Sequence, residues 1–242
     1  MIRFEHTRVM NFDGALRGMR NPLNSWDKSD SVDCGDFEGR CSDCEFFKRG
    51  SICNGVSDSE IVVIGENDLK LAKKLIRAGS DHRKFMRQIL VSVDITAPLY
   101  WWKEFDTYKV GTVANSCSTM HKIHAKEFTL KDFSNERLLC WDVNQDVDNP
   151  AIPIGCLSDT VKVLNACRDK YLETKDKMFW EQLIQLLPSS YNQKRTVTLN
   201  YETLYNIYGS RKNHKLDEWS KGFINWIESL PYAKELIIER EA

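Results

Sequence analysis

Four of the eight cysteines lie close together, at Cys34, Cys41, Cys44 and Cys53. Their spacing is C-x6-C-x2-C-x8-C, and the central C-x2-C has the separation at which two thiolates chelate one metal ion. Four thiolates suit tetrahedral zinc, and an iron–sulfur cluster is the alternative for the same soft ligands. The remaining alternative is a polar loop with reduced thiols or an adventitious disulfide. We expect a structural zinc, which would supply folding energy to a segment with few apolar residues.

Hydroxyl, amide, thiol and imidazole groups are also dense in the stretch ANSCSTMH, residues 114–121. Cys117 lies near His121 and could be an activated nucleophile. Free cysteine more commonly serves as a small buried apolar group, which is the alternative for Cys117. His121 and His124 form an i, i+3 pair, which is weak evidence for a metal site. The residue types alone leave both interpretations open.

Polar residues recur at helical spacing near the C-terminus. At about 100° of rotation per residue, one narrow face of a continuous helix would carry Asn200, Ile207, Arg211 and Glu218. His214 would lie some 40° around the helix from that face. A second stripe, Tyr201, Tyr205 and Tyr208, is expected to pack against the protein. The same spacing is compatible with a surface ion pair between Arg211 and Glu218. Spacing alone therefore does not identify a site.

Hydrophobic periodicity predicts the elements that must position these residues. Strands are predicted over 2–10, 90–95 and 194–200, with a short apolar run at 60–67. One helix is predicted from Asn67 or Asp68 as its cap to Gly79, and another begins at Pro98. Further helices are predicted from Ser158, over 177–188, and from residue 201 onward with Gly209 as a candidate break. The result is an α+β chain with predominant helix.

Composition narrows the class of protein. The chain has 242 residues, of which 42% are hydrophobic and 29% charged, and this favours one globular domain with an elaborated N-terminal segment. A net charge of -1 gives no basic field for nucleic-acid polymers, so we expect none as a partner. No apolar run approaches the roughly 20 residues that span a bilayer, and the N-terminus lacks the apolar region of a signal peptide. We expect a cytoplasmic protein without membrane contact.

The segment LLPSSYNQKRTVTLNYETLYNIYGSRKNHKLDEW resembles the C-terminal signature of the flavin-dependent thymidylate synthases. The matching residues are Leu187, Pro188, Thr198, Asn200, Leu204, Asn206 and Arg211. Upstream, His82 matches the family's histidine segment, and Ala97 with Pro98 matches the start of its next helix. The resemblance covers residues 66 to 235. We therefore expect residues 1–65 to form an N-terminal extension with the cysteine cluster, and residues 66–242 to form a flavin and nucleotide domain packed as one unit.

The sequence departs from the family after that helix. Thr107, Tyr108 and Lys109 stand where the family has Arg-His-Arg, and Thr112 stands for a serine. Ser118 keeps a hydroxyl in the segment that follows. Lysine does not reproduce the planar two-pronged geometry of arginine, so phosphate binding would need donors from elsewhere. The replacement of Arg-His-Arg is compatible with a nucleotide substrate or a product that differs from those of the family.

The resemblance implies a fold, an activity and a set of site residues. The fold is α+β, mostly helical with a small antiparallel sheet, in a homo-oligomer that is a tetramer in the family and holds flavin at subunit interfaces. The implied cofactor is FAD, and the co-substrates are NADPH and methylenetetrahydrofolate. The activity is one-carbon transfer (methylation) to C5 of a pyrimidine deoxynucleotide such as dUMP. The alternative is a non-catalytic or re-purposed nucleotide-binding protein on the same fold.

The same resemblance assigns roles to individual residues. Those implied to act on the nucleotide are Arg211, Ser118 and Thr112. Those implied to bind the cofactor are His82, Lys109, Asn200, Asn206 and His214. No cysteine takes part in this chemistry, so a zinc at the cysteine cluster would be structural.

The cysteine cluster makes a direct prediction. Freshly purified protein is expected to contain about one zinc per chain, because four thiolates complete one tetrahedral shell. Elemental analysis measures this, and iron with sulfide in place of zinc would indicate a cluster. Protein that contains neither metal would contradict a metal site of either kind.

Overall fold

The computed structural model describes residues 2–33 and 62–239. Within these residues the strands are Arg3–Met10 (β1), Val32–Asp33 (β2), Val62–Val63 (β3), Leu90–Pro98 (β4), Val113–Ser116 (β5) and Asn192–Asn200 (β6). Strands β1, β4, β6 and β5 pair in that order in an antiparallel sheet. The short strands β2 and β3 pair antiparallel, with Val32 opposite Val63. About half of the molecule is helical, which confirms the predicted α+β class.

The α-helices of the described chain are Phe12–Arg20 (α1), Glu66–Arg77 (α2), Leu99–Phe105 (α3), Pro153–Thr174 (α4), Lys177–Leu186 (α5), Tyr201–Arg211 (α6) and Ile224–Glu228 (α7). Short 3-10 helices cover Asn21–Leu23, Trp26–Lys28, Arg83–Arg87 and Leu130–Asp132. Two π-helical segments follow α6, at Glu218–Phe223 and Lys234–Ile238. No helix among the described residues combines the length and apolar character needed to cross a bilayer.

The chain divides into two compact units. The first comprises Thr96–Thr107 and Asn115–Arg195 with the first residues of the chain, and the second comprises Tyr108–Ala114 and the described parts of Phe4–Ile95 and Thr196–Ala242. The domain boundary predicted between residues 65 and 66 stays a prediction, because residues 34–61 lie outside the described residues.

In the first unit, α4 and α5 pack around one apolar cluster. Its buried members are Ile123, Phe128, Phe133, Leu157, Val161, Leu164 and Leu183. Helix α3 adds Trp102, whose indole Nε1 donates to the Gln193 carbonyl at 3.0 Å. The Arg195 guanidinium lies 4.2 Å from the centre of the Trp102 ring and donates to Asp106 at 2.7 Å. Arg195 therefore forms both an ion pair with Asp106 and a cation–π contact with Trp102.

In the second unit, α1, α2 and α6 enclose an apolar core with the C-terminal helical segments. Fully or nearly fully buried residues include Phe12, Ile76, Met86, Tyr201, Leu204, Trp219, Phe223 and Ile227. Helix α6 is buried along most of its length, and of its predicted tyrosine stripe Tyr201 and Tyr208 are buried. The residues of α6 that the resemblance assigns to the site are therefore carried on an element that packing holds in place.

A buried ion pair joins α1 to α2 in this unit. The Arg20 Nε donates to Asp68 Oδ1 at 2.6 Å, and both side chains are almost fully buried. Asp68 Oδ2 accepts from the hydroxyls of Ser29 at 2.7 Å and Ser31 at 2.6 Å. Burial alone would raise the pKa of Asp68, but the hydrogen bonds from Ser31, Ser29 and Arg20 outweigh it and hold that pKa below its usual value.

Two predicted helix caps are wrong. Gly65, rather than Asn67 or Asp68, occupies the N-cap position of α2, and the Asp30 carboxylate accepts from the Asn67 and Asp68 backbone N–H groups at 2.9 and 3.1 Å. The Asp68 carboxylate is instead bound by Arg20 and two serines. Helix α4 begins at Pro153 rather than at Ser158, since proline fits the first turn and an extended Ile152 precedes it. The predicted end at Gly79 holds, because α2 ends at Arg77 and Gly79 has a φ of 107°.

The C-terminal helical region also differs from the expectation. Helix α6 runs through Gly209 without a break and ends at Arg211. Glu218 begins a separate π-helical segment, so the straight face predicted to carry both Arg211 and Glu218 does not exist. Other strands and helices match their predicted positions within a few residues, including β1, β4, β6 and the helix that follows Pro98.

We expect Asp68→Asn to lower the free energy of unfolding at pH 7 by about 3–5 kcal/mol, because the change leaves the Arg20 charge buried without its partner. Because the pKa of Asp68 is depressed in the folded state, its stabilisation is present above roughly pH 4 and is lost as the pH falls through the folded-state pKa. The difference between wild type and variant should therefore shrink in acid.

Urea unfolding at pH 7 and at several acidic pH values measures this difference. Asp159→Asn is the matched control, since Asp159 pairs with Lys162 on an exposed face of α4 and should change stability little. If Asp68→Asn lowers the free energy of unfolding by the same amount at every pH, the stabilisation does not come from the ionised Asp68 carboxylate.

Candidate functional site

The side chain of Asn200 caps the first turn of α6. Its Oδ1 accepts from the Thr203 backbone N–H at 2.9 Å, and the residue is 8% exposed. The cap satisfies one of the backbone donors left without a partner at a helix start. Asn200, which the resemblance assigns to the cofactor, therefore also determines where α6 begins.

A loop of residues 108–112 is bound to this cap. The Thr203 hydroxyl donates to the Val110 carbonyl at 3.1 Å and lies 3.2 Å from Asn200 Oδ1. Gly111 has a φ of 72°, and a Cβ built there would overlap Asn200 Nδ2 and lie 3.0 Å from Thr203 Oγ1. Glycine thus allows the loop backbone to lie directly against the start of α6.

The same loop is bound to the far end of α6 through Tyr108. Arg211 is the last residue of α6, and its Nε donates to the Tyr108 hydroxyl at 2.8 Å. The Arg211 guanidinium carbon lies 4.8 Å from the centre of the Trp219 ring and 5.6 Å from that of Tyr108. The two rings meet edge to face at 6.1 Å. A hydrogen bond and two cation–π contacts thus fix the guanidinium.

The other residues predicted for this region lie on the same elements or just after α6. Lys109 is exposed on the loop, and Asn206 is exposed on α6. Thr112 has a buried Oγ1 for which the described structure provides no hydrogen-bond partner. His214 follows Arg211 closely: its backbone N–H donates to the Arg211 carbonyl at 3.0 Å, and its ring centre is 6.3 Å from that of Trp219. The loop and α6 thus carry the Lys109 and Arg211 cations, the Asn200 and Asn206 amides and the Thr112 hydroxyl.

His82 is exposed and precedes the 3-10 helix Arg83–Arg87. That helix meets α6 through Glu202, a residue that the sequence reasoning missed. Arg83 Nε donates to Glu202 at 3.1 Å, Arg87 Nε donates to its other carboxylate oxygen, and the Arg83 guanidinium lies 4.5 Å from the Tyr205 ring centre. The available signal was the i, i+4 spacing of two arginines beside His82, but nothing local pointed to a partner 115 residues away.

The two arginines of this cluster have acidic neighbours: both pair with Glu202, and Asp81 also attracts Arg87. Burial alone would raise the pKa of Glu202, but the hydrogen bonds from Arg87 and Arg83 outweigh it and hold that pKa below its usual value. Glu202 is therefore ionised at neutral pH. The N-terminal turn of α6 adds partial positive charge at the same end of the helix.

Ser118 belongs to the other unit and is exposed. Its Oγ accepts from the His121 backbone N–H at 2.9 Å, which closes a local turn. Cys117 is exposed rather than a buried apolar group. Its assignment as a nucleophile stays a hypothesis. His124 contacts Tyr171 edge to face at 4.9 Å, an ordinary packing contact.

The predicted metal ligands Cys34, Cys41, Cys44 and Cys53 lie outside the described residues, so the zinc site stays a prediction. Across residues 2–33 and 62–239, no group of three or more His, Cys, Asp or Glu side chains could hold a metal ion.

Known protein structures resemble this chain, whereas the sequence comparisons find no match. The sequence matches no family model and no curated protein. Two solved structures of thymidylate synthase X from Helicobacter pylori, both with FAD and dUMP, each align with a TM-score of 0.60. The first is 15% identical and the alignment covers 99% of this chain and 97% of that one. The second is 14% identical, with 100% and 99% covered.

A third solved structure differs in its described activity. A UMP/dUMP methylase, PolB from Streptomyces cacaoi bound with 5-Br dUMP, aligns with a TM-score of 0.53 at 14% identity, over 98% of this chain and 95% of that one. Together these similarities confirm that the chain has the fold of the flavin-dependent thymidylate synthases, over nearly its whole length. At such low identity they establish the fold and not the reaction.

The close contact of the Gly111 backbone with Asn200 and Thr203 can be tested by substitution. Gly111→Ala is expected to lower the free energy of unfolding by about 2–4 kcal/mol, since alanine at positive φ costs about 1–2 kcal/mol and its Cβ displaces the Asn200 cap as well. Gly79→Ala is the matched control, because Gly79 also has a positive φ, 107°, but a Cβ there would meet nothing within 4 Å. Urea unfolding compares the two variants, and an equal loss in both would contradict the close contact.

Proposed function

We propose that the protein is a flavin-dependent enzyme that transfers a one-carbon unit to C5 of a pyrimidine nucleotide such as dUMP. The observation that carries the proposal is the fixed guanidinium of Arg211, at the end of a helix whose other end is capped by Asn200. Structures of the same fold are described with FAD and dUMP or with 5-Br dUMP, which supports this class of ligand.

In this proposal Arg211 binds the nucleotide. Tyr108 and Trp219 hold the guanidinium by one hydrogen bond and two ring contacts, so little side-chain entropy remains to be lost on binding. Arginine presents N–H groups in a plane that matches a phosphate or a pyrimidine carbonyl edge. Thr112 offers a buried hydroxyl, and Ser118 is a further candidate for a substrate hydrogen bond.

The donor set of α6 and its loop fits a flavin. The exposed amide of Asn206 on α6 can meet the carbonyl and ring-nitrogen edge of an isoalloxazine. Asn200, His82, His214 and Lys109 would complete the cofactor contacts. Arg83 and Arg87 are candidates for the phosphates that the missing Arg-His-Arg segment would have bound. When bound and reduced, the flavin supplies hydride, while the chain contributes binding, orientation and electrostatics.

The remaining parts of the proposal follow the resemblance. Methylenetetrahydrofolate would donate the carbon, NADPH would reduce the flavin, and a homo-oligomer would hold the flavin between subunits. The rival is a nucleotide-binding protein that kept the fold and lost the flavin. The exposed Lys109, in place of an arginine, is the observation that favours this rival.

One titration tests the proposal. Purified protein is expected to contain flavin that heat releases, and adding dUMP should perturb the flavin absorbance with a saturable dependence. In Arg211→Ala the flavin should remain bound, while the affinity for dUMP falls by about 10-fold or more, because a charge-assisted hydrogen bond contributes about 1.5–3 kcal/mol.

Lys212→Ala is the matched control, because Lys212 is the next residue along the chain and is exposed. The Lys212→Ala variant should bind both flavin and dUMP as the wild-type protein does. Colourless protein that cannot be reconstituted with FAD would refute the enzyme and favour the rival. Unchanged dUMP affinity in Arg211→Ala would remove Arg211 from the site.

A further inference from the structure

The turn that carries Ser118 is exposed along its length. All residues from 113 to 118 are exposed, so apolar packing contributes little to holding this segment in place. Ser118 Oγ accepts from the His121 backbone N–H at 2.9 Å, and a hydroxyl oxygen that accepts keeps its own hydrogen to donate. The position of the Ser118 hydroxyl therefore depends on what fixes the turn.

Hydrogen bonds to the backbone hold this turn. Gln193 Nε2 donates to the Cys117 carbonyl at 2.7 Å, and the Cys117 N–H donates to the Lys194 carbonyl at 2.9 Å. Trp180 Nε1 donates to the Met120 carbonyl at 3.0 Å. The bond from Gln193 differs from the others in its origin and place, because it comes from a side chain on β6 that is 7% exposed and binds the peptide group directly before the serine.

The amide of Gln193 has its orientation dictated from both sides. Arg195 Nε donates to Gln193 Oε1 at 2.9 Å, and a guanidinium can only donate, so it must face the amide oxygen. The Cys117 carbonyl can only accept, so it must face the amide nitrogen. A two-residue spacing puts Gln193 and Arg195 on the same face of β6. A rotated amide would place like groups against each other at both ends.

Arg195 is itself fixed by contacts within the same unit. Its Nη1 donates to Asp106 at 2.7 Å, its guanidinium lies 4.2 Å from the centre of the Trp102 ring, and its side chain is 15% exposed. The Trp102 indole in turn donates to the Gln193 carbonyl at 3.0 Å. A polar network in which each member is satisfied holds its groups rigidly. The donor that Gln193 presents to the turn is therefore held by buried and half-buried groups beneath an exposed segment.

We propose that Gln193 is a positioning residue that acts through Ser118. By binding the Cys117 carbonyl it holds the Ser118 hydroxyl where that hydroxyl donates to an oxygen of the pyrimidine nucleotide, and Gln193 itself does not touch the ligand. This inference rests on the proposed function, in which Ser118 is a candidate for a substrate hydrogen bond. A donor that is fixed before binding loses little freedom when the ligand arrives, so loosening the turn weakens binding.

Gln193→Glu is the sharpest test of this role. The carboxylate has nearly the same shape and keeps an acceptor for Arg195, but it lacks the donor to the Cys117 carbonyl. In protein supplied with FAD, the affinity for dUMP measured by titration calorimetry should fall about 5-fold, the effect of one neutral hydrogen bond. Gln193→Met, which has a similar length and no donor, decides the question if the glutamate variant does not fold.

Gln182→Glu is the matched control. It makes the same chemical change on α5, where Gln182 Nε2 donates to the Met178 carbonyl at 3.4 Å, outside the contacts that hold the turn. This variant should bind dUMP as the wild-type protein does.

A double-mutant cycle separates positioning from general support of the fold. Ser118→Ala should also weaken dUMP binding about 5-fold. If Gln193 acts through Ser118, adding Gln193→Glu to Ser118→Ala should cause no further loss, whereas independent effects would multiply to about 25-fold.

Hydrogen exchange supplies a measurement that needs no ligand. The His121 amide is bonded to Ser118 Oγ, so its exchange reports on the turn directly. It should exchange about 5-fold faster in Gln193→Glu than in the wild-type protein.

The outcomes distinguish this inference from the proposed function. If the wild-type protein binds dUMP but folded Gln193→Glu binds it equally well, or if the two substitutions multiply, the positioning role is overturned and the proposed function stands. An unchanged exchange rate of the His121 amide in Gln193→Glu also overturns it, because the turn would then be held without Gln193. If the wild-type protein with FAD binds no dUMP, the proposed function fails and the positioning role fails with it.

Discussion

The attachment of one loop to both ends of α6 is the constraint on which the candidate site depends. At the start of the helix, Thr203 joins the Asn200 cap to the Val110 carbonyl. At its end, Tyr108 binds Arg211. The helix supplies rigidity because it is buried in the core, and the loop supplies the residues that face outward. A shift of the loop would therefore change the cap and the arginine together.

This constraint explains how the site can lack the family's Arg-His-Arg segment and still be ordered. Tyr108 replaces one of those residues, and its hydroxyl and ring hold Arg211 rather than contacting a ligand with a charge of their own. In the proposed function the cations are groups anchored by α6, namely Arg211 and the Arg83–Arg87 helix that pairs with Glu202.

Patterns within a few residues predicted much of the fold. Alternation predicted β4, Pro98 predicted the start of α3, and periodicity predicted α2 and α6. The errors arose where a distant partner or a stronger local signal overrides the expected cap. Asp68 has the residue type of a helix cap, but Arg20, 48 positions earlier, takes its carboxylate. Ser158 likewise has the type of a cap, but Pro153 starts the helix sooner. Glu202 and the Tyr108 hydroxyl bond depend on tertiary contacts that no local spacing encodes.

The central claim is that Arg211, held by Tyr108 and Trp219, serves one-carbon transfer at C5 of a pyrimidine nucleotide. Such a transfer replaces the hydrogen on C5, so its most direct measurement is tritium release into water from dUMP labelled at C5. The assay contains FAD, a reductant and methylenetetrahydrofolate. We predict release that requires the folate and is strongly reduced in Arg211→Ala. Protein that binds both FAD and dUMP but releases no tritium above a no-enzyme control would contradict the account.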